Sequence, residues 1–202
     1  NSPDILRYLW GRYSATAGDR AAFLEPTAER LEMEKKIDRC GFYLQVWVYY
    51  HTLDDKKLIQ HAWGCDNPSI PVWQRWAIRF LYPLLRVLMR RVFRISDAAC
   101  EKAVAGVEEL LTEVETLLGD GRSSLLGGNV TNYVDITFAA ISGLWLQPKG
   151  YGAGKADHVR LEREQVPMKM RQEIEGWIER YPLVVKLIER LYREERDITD
   201  RT

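Results

Sequence analysis

The chain has 202 residues, 46% of them hydrophobic and 11% aromatic, and its basic and acidic side chains balance at 29 each. A folded chain of this length can bury ~70% of its unfolded surface, and the apolar fraction with seven Trp, ten Tyr and five Phe excludes intrinsic disorder. Zero net charge argues against the general nucleic-acid binding that rests on clustered positive charge. Three cysteines without CxxC spacing argue against a disulfide framework or a four-thiolate zinc site. The expected location is therefore the cytoplasm or another reducing compartment.

The apolar periodicity is helical throughout, and no window alternates as a strand would, so the expected class is all-α. Ser2, Pro3 and Asp4 read as a helix start, with a capping hydroxyl, a proline suited to the first turn and an acid at the positive helix end. Ile5, Leu6 and Leu9 form the stripe of this first helix, which is expected to fade near Tyr13. Residues 14–26, rich in Ala and Gly, read as a linker. A long helix is expected over 27–53, roughly 40 Å at 1.5 Å per residue. Ile37, Cys40, Gly41, Leu44, Trp47 and Val48 line one of its faces, and Phe42, Val46, Tyr49 and Leu53 another. Two apolar faces predict two neighbours. Its first half, with Glu29, Arg30, Glu32, Glu34, Lys35 and Lys36, reads as wetter.

A short helix near 55–62 precedes a loop and a longer helix over 71–94, in which Pro83 deletes the hydrogen bond to the Arg79 carbonyl and predicts a kink. Arg75, Arg79, Arg86, Arg90 and Arg91 break this stretch as a membrane span. Ser96 and Asp97 cap the next helix, whose seam of Cys100, Val104, Val107, Leu111, Val114 and Leu118 steps by four and three until Gly119. A largely apolar helix over 133–146, a Gly-rich loop (Gly150, Gly152, Gly154) and two helices over 167–180 and 182–195 complete the chain.

Local chemistry gives no catalytic set. His51, His61 and His158 do not form a metal constellation, since His51 and Asp54 together leave a zinc site unfinished. The Gly150–Lys155 run lacks P-loop spacing, and Ala156 stands where the hydroxyl belongs. The Asn129-Val-Thr131 sequon reads as incidental. Arg75, Arg79, Arg86, Arg90 and Arg94 make a basic stripe, and Glu101, Glu108 and Glu115 an acidic one on the next helix. Ion pairs between the two helices are the plain expectation, and a docking surface for an anionic ligand, lipid or acidic partner the sharper one. The aromatics Tyr43, Trp47, Tyr49, Tyr50, Trp63, Trp73, Trp76 and Phe80 read mainly as core, with a cleft for a flat apolar ligand as the functional alternative.

One segment is more specific. In Asn132-Tyr133-Val134-Asp135, Asn132 can accept from the backbone N–H of Asp135 and the Asp135 carboxylate can reach back to the N–H of Asn132, a capping box at the start of a buried helix. "GGNVTNYVDITFAA" resembles the "GDxFSxADIT" signature of the glutathione transferase C-terminal helical domain. "NSPDILRYLWGRYS" resembles the segment that ends that family's thioredoxin-like N-terminal domain. "LLGDGRSSLLGG", "RWAIRFLYPLLRVLMRR", the proline after the buried helix and "ERLYREER" look like a bacterial-type subgroup. Asn132 stands where the family usually has a hydroxyl, and Thr131 replaces the apolar residue of the usual hydrophobic staple.

The resemblance implies three regions: 1–13, the terminal helix of a missing thioredoxin-like domain; 14–26, a linker; and 27–202, a glutathione transferase C-terminal-type helical bundle. It further implies that Ser2 binds the γ-glutamyl carboxylate of glutathione, with Asn1 in place of the usual acid beside it. Tyr43, Trp47 and Tyr50 would wall a hydrophobic electrophile pocket. The group that activates the thiol would belong to the absent domain, so no catalytic residue and no metal is assigned to this chain, and the chain alone is expected to be inactive. The expected partner is the thioredoxin-like domain or another protein covering Ile5, Leu6 and Leu9, with a homodimer or larger assembly also implied. The alternative is a non-catalytic, transferase-like subunit of an assembly. A membrane-surface role for the helix over 73–94 ranks third, and no nucleic-acid partner is expected.

Overall fold

The computed structural model describes residues 2–152 and 159–195; the side chains of residues 2 and 3 fall outside that description. The described residues are all-helical, with no strand among them. None of their helices is long and apolar enough to cross a membrane.

Helix α1 (Ser2–Ala17) runs past Tyr13, where the sequence predicted it to fade, and the stretch expected to be a linker winds into a 3-10 helix, Gly18–Leu24. Alanine has the highest helix propensity, so the Ala-rich segment stays wound until Gly18 takes a φ of 52°, open to glycine at little cost. Leu6 packs against the main core, whereas Ile5 and Tyr8 face outward.

Helix α2 (Ala28–Thr52) starts where Thr27 Oγ1 accepts from Arg30 N at 3.3 Å, a side-chain N-cap. It is the central rod. Ile37, Leu44 and Trp47 have no exposed surface, and the helix packs on both α5 (Asp97–Leu118) and α6 (Tyr133–Leu146). The expected pair of neighbours is thus present, although Phe42, assigned to the second apolar face, is exposed. The seam of α5 is buried at Cys100, Val107, Leu111, Val114 and Leu118 and half-buried at Val104.

Helix α3 (Lys56–Ala62) is capped by Asp55, whose Oδ1 accepts from Lys57 N and Leu58 N, both at 3.0 Å. Helix α4 (Val72–Val92) contains Pro83 and is continuous around it. Helices α7 (Met168–Arg180) and α8 (Pro182–Glu194) meet at Tyr181. Glu115 of α5 caps α8 from across the bundle, its two oxygens accepting from Leu183 N at 3.1 Å and Val184 N at 3.0 Å. That contact satisfies two of the N–H groups a helix start leaves without partners.

Candidate functional site

The best-defined polar centre lies at the start of α6. Asn132 Oδ1 accepts from Val134 N at 2.9 Å, Asp135 Oδ2 accepts from Asn132 N at 2.8 Å, and the capping box is closed. Asp135 also accepts from Ser124 Oγ and from Leu125 N, each at 2.7 Å. Ser124 Oγ in turn accepts from Asn132 Nδ2 at 3.0 Å and from Gly127 N at 3.1 Å. Ser124, Asn132 and Asp135 are all fully buried. The box therefore does more than start a helix: it pins the 119–131 loop to the core with every donor satisfied. Its role is structural, and α6 is enclosed over most of its surface, with Ile136 exposed.

The first half of α2 is wetter, as expected, with Glu29, Glu32, Lys35 and Lys36 exposed, but Glu34 departs from it as a second buried carboxylate. It is enclosed and accepts from Tyr133 Oη and from Arg7 Nη2, each at 3.1 Å. Burial, reinforced by the Glu34 carboxylate, pushes the Tyr133 phenol up to about 12. Through these contacts α1, α2 and α6 meet on one acid.

A third carboxylate, Glu173 of α7, accepts from Trp47 Nε1 at 2.6 Å and lies 2.9 Å from His51 Nε2. Burial raises its pKa, but the hydrogen bonds from His51 and Trp47 outweigh burial and leave it below the usual range. Glu108 of α5 behaves alike: burial raises it, while Arg180 and the Trp177 indole, which donates at 2.9 Å, lower it further. Both carboxylates bolt α7 to the bundle. Their folded-state pKa values lie below the unfolded glutamate value near 4.3, so their stabilisation is complete above that pH and is lost as the pH falls through the depressed values. Acid titration below about pH 4.3 is expected to loosen α7 first. Trp47 and Trp177 fluorescence reports the change, and Glu108→Gln with Glu173→Gln should remove most of that acid dependence.

The residues assigned to an electrophile pocket share a face of α2 but have separate surroundings. Trp47 is fully enclosed, its ring centroid 5.0 Å from that of Trp177, which lies 5.6 Å from Trp145. Tyr43 covers Gly106 of α5, where an added Cβ would collide with its ring, and borders a cleft of about 130 Å³. The Tyr50 hydroxyl donates to Asp97 at 2.8 Å, and that bond raises the phenol's pKa. Asn1 and the side chain of Ser2, assigned to glutathione, lie outside the described residues, as do His158, Gly154 and Lys155.

A more apolar cleft, of about 230 Å³, opens between α2, α3 and the end of α6, where Val48, Tyr49, Trp63, Leu144, Gln147 and Met170 line it. Gln147 ends α6 with φ at 48°, and its Oε1 accepts from Leu161 N at 2.6 Å. Sequence reasoning named two of its walls, Tyr49 and Trp63, among the aromatics of a possible cleft, but not the others, because they come from separate segments that no local spacing marks.

All three cysteines are buried and free, and burial raises each thiol, Cys40 to about 12 and Cys100 to about 11. Raised thiols stay protonated at neutral pH, which disfavours all three as nucleophiles. Among the described residues no cluster of His, Cys, Asp and Glu could hold a metal ion. No family model, no curated protein and no solved structure matches the chain.

Proposed function

We propose that the chain is the helical half of a glutathione transferase-type protein, supplying apolar walls for an electrophile while an upstream thioredoxin-like lobe holds and activates glutathione. The observation that carries the reading is the reciprocal Asn132–Asp135 box, fully buried, at the start of an apolar helix packed on a long central one. The motif resemblance and the apolar cleft beside Val48 and Tyr49 agree with it. In this reading the thiolate would attack an apolar electrophile held in place by hydrophobic contact, with no metal in the step.

The test compares the 202-residue chain with the same chain extended by its upstream coding sequence, scoring retention on immobilised glutathione and conjugation of an aryl chloride. Retention and turnover are expected only for the extended protein. Turnover by the 202-residue chain alone overturns the division of labour. An extended protein that holds a thioredoxin-like lobe yet does neither favours the second reading, a non-catalytic subunit, for which the outward apolar face of α4 is the motivating observation.

A further inference from the structure

Helix α4 turns its apolar side away from the protein. Of its residues only Tyr82 is buried, in a satellite cluster with Leu53 and Ile59, where its hydroxyl donates to Leu53 O at 2.7 Å. Trp73, Trp76, Phe80, Leu84 and Val87, in steps of three and four, make one stripe; Trp73 is 69% exposed, Trp76 65% and Phe80 83%. Core packing was the expectation for these three aromatics, and the structure overturns it: the helix docks by its opposite edge. A contiguous outward face of this size and aromatic content marks a binding surface.

The charges identify the occupant. Helix α4 carries Arg75, Arg79, Arg86, Arg90 and Arg91 and no Asp or Glu. The expected pairs with the α5 glutamates do not form, since Glu108 and Glu115 are engaged with α7 and α8. Instead Arg86 and Arg90 reach Asp54 at 2.7 and 2.5 Å and Arg79 reaches Asp66 at 3.2 Å. These pairs hold the helix so that its stripe points outward, and the guanidiniums stay partly exposed along one flank. Among the described residues Arg91 and Arg94 have no carboxylate partner.

We propose that α4 lies flat on an anionic lipid bilayer, its aromatic stripe sunk into the headgroup–acyl boundary, with Arg91 and, just past the helix, Arg94 bound to lipid phosphates. A helix of 21 residues with apolar bulk on one side, cations on its flank and no acid is the composition of an interfacial helix. Tryptophan favours that boundary, where one side of the ring is apolar and its N–H stays wet. A convex ridge fits a soft plane, and the lack of acids suits a surface bearing phosphates. Docking of this kind does not depend on the transferase reading.

The test is co-sedimentation of the full chain with vesicles made of equal parts phosphatidylcholine and phosphatidylglycerol, and with phosphatidylcholine vesicles, alongside tryptophan fluorescence. Binding with a blue shift is expected on the anionic vesicles only, and is lost in about 1 M salt, where the Debye length is about 3 Å. Arg91→Gln with Arg94→Gln lowers partitioning about 25-fold, at about fivefold per cation. Trp73→Ser with Trp76→Ser and Phe80→Ser abolishes both signals. These side chains are exposed, so circular dichroism should stay unchanged. Failure to bind either vesicle, equal binding to both, or self-association in solution that the triple substitution dissolves overturns the proposal.

Discussion

Replacing Asp135 with alanine is expected to destabilise the protein by about 4 kcal/mol, measured as a fall in the urea unfolding midpoint. Hydrogen bonds to a charged acceptor contribute about 1.5–3 kcal/mol each, and a buried donor left without a partner costs about 1–3 kcal/mol. The carboxylate serves Leu125 N, Asn132 N and Ser124 Oγ, all at 2.7–2.8 Å and away from water. Asp135→Asn is expected to cost nearly as much. Whichever way the amide turns, its NH2 faces one of the two backbone N–H groups, so a donor meets a donor. Asn132→Ser is the contrasting case: serine caps as well as asparagine, so its cost should stay near 1 kcal/mol. A loss for Asp135→Ala no larger than the ~1 kcal/mol of an ordinary cap would show that the centre is only an N-cap. A loss confined to Asp135 means that pinning the loop is its main role.

The helix-starting part of that centre was legible because it is local: Asn132 and Asp135 stand three residues apart, and geometry alone brings them together. The contacts with Ser124 and Leu125 were not, since an irregular loop delivers them and no periodicity describes it. Glu34 was misread for a related reason. It sits in a run of charges that reads as a solvated face, and only Tyr133, distant in sequence, and Arg7 turn it into a buried acceptor.

The helices themselves followed from apolar spacing, Pro and capping residues, and α6 and α8 begin where those signals place them. Spacing does not say which way an amphipathic helix faces. The stripe Trp73, Trp76, Phe80 and Leu84 has the same period whether it turns inward or outward, and the decision rests with Asp54, Asp66 and Tyr82, which hold the opposite edge. The arginine partners were missed likewise, because loop acids intervene before the stripe on α5 is reached.

Trp177→Ala is expected to cost about 4 kcal/mol, within the usual range for deleting a buried tryptophan. Total stability is about 5–15 kcal/mol, so that loss leaves a marginal fold. Trp177 has no exposed surface, and with Met170 and Ile174, at steps of four and three, it forms the whole buried edge of α7. The cavity it leaves is walled by the rings of Trp47 and Trp145, which are too stiff to collapse into it. Trp177→Phe separates packing from hydrogen bonding. It keeps most of the aromatic contact and removes the indole N–H, while Arg180 still donates to Glu108; a cost of about 1–2 kcal/mol is expected. Hydrogen exchange then locates the damage. Because α7 is fastened by Trp177 and by the two carboxylates Glu108 and Glu173, its amides should lose protection in Trp177→Ala well before those of α2 and α5. Uniform loss across α2, α5 and α7 would instead make the tryptophan cluster the nucleus of the whole bundle.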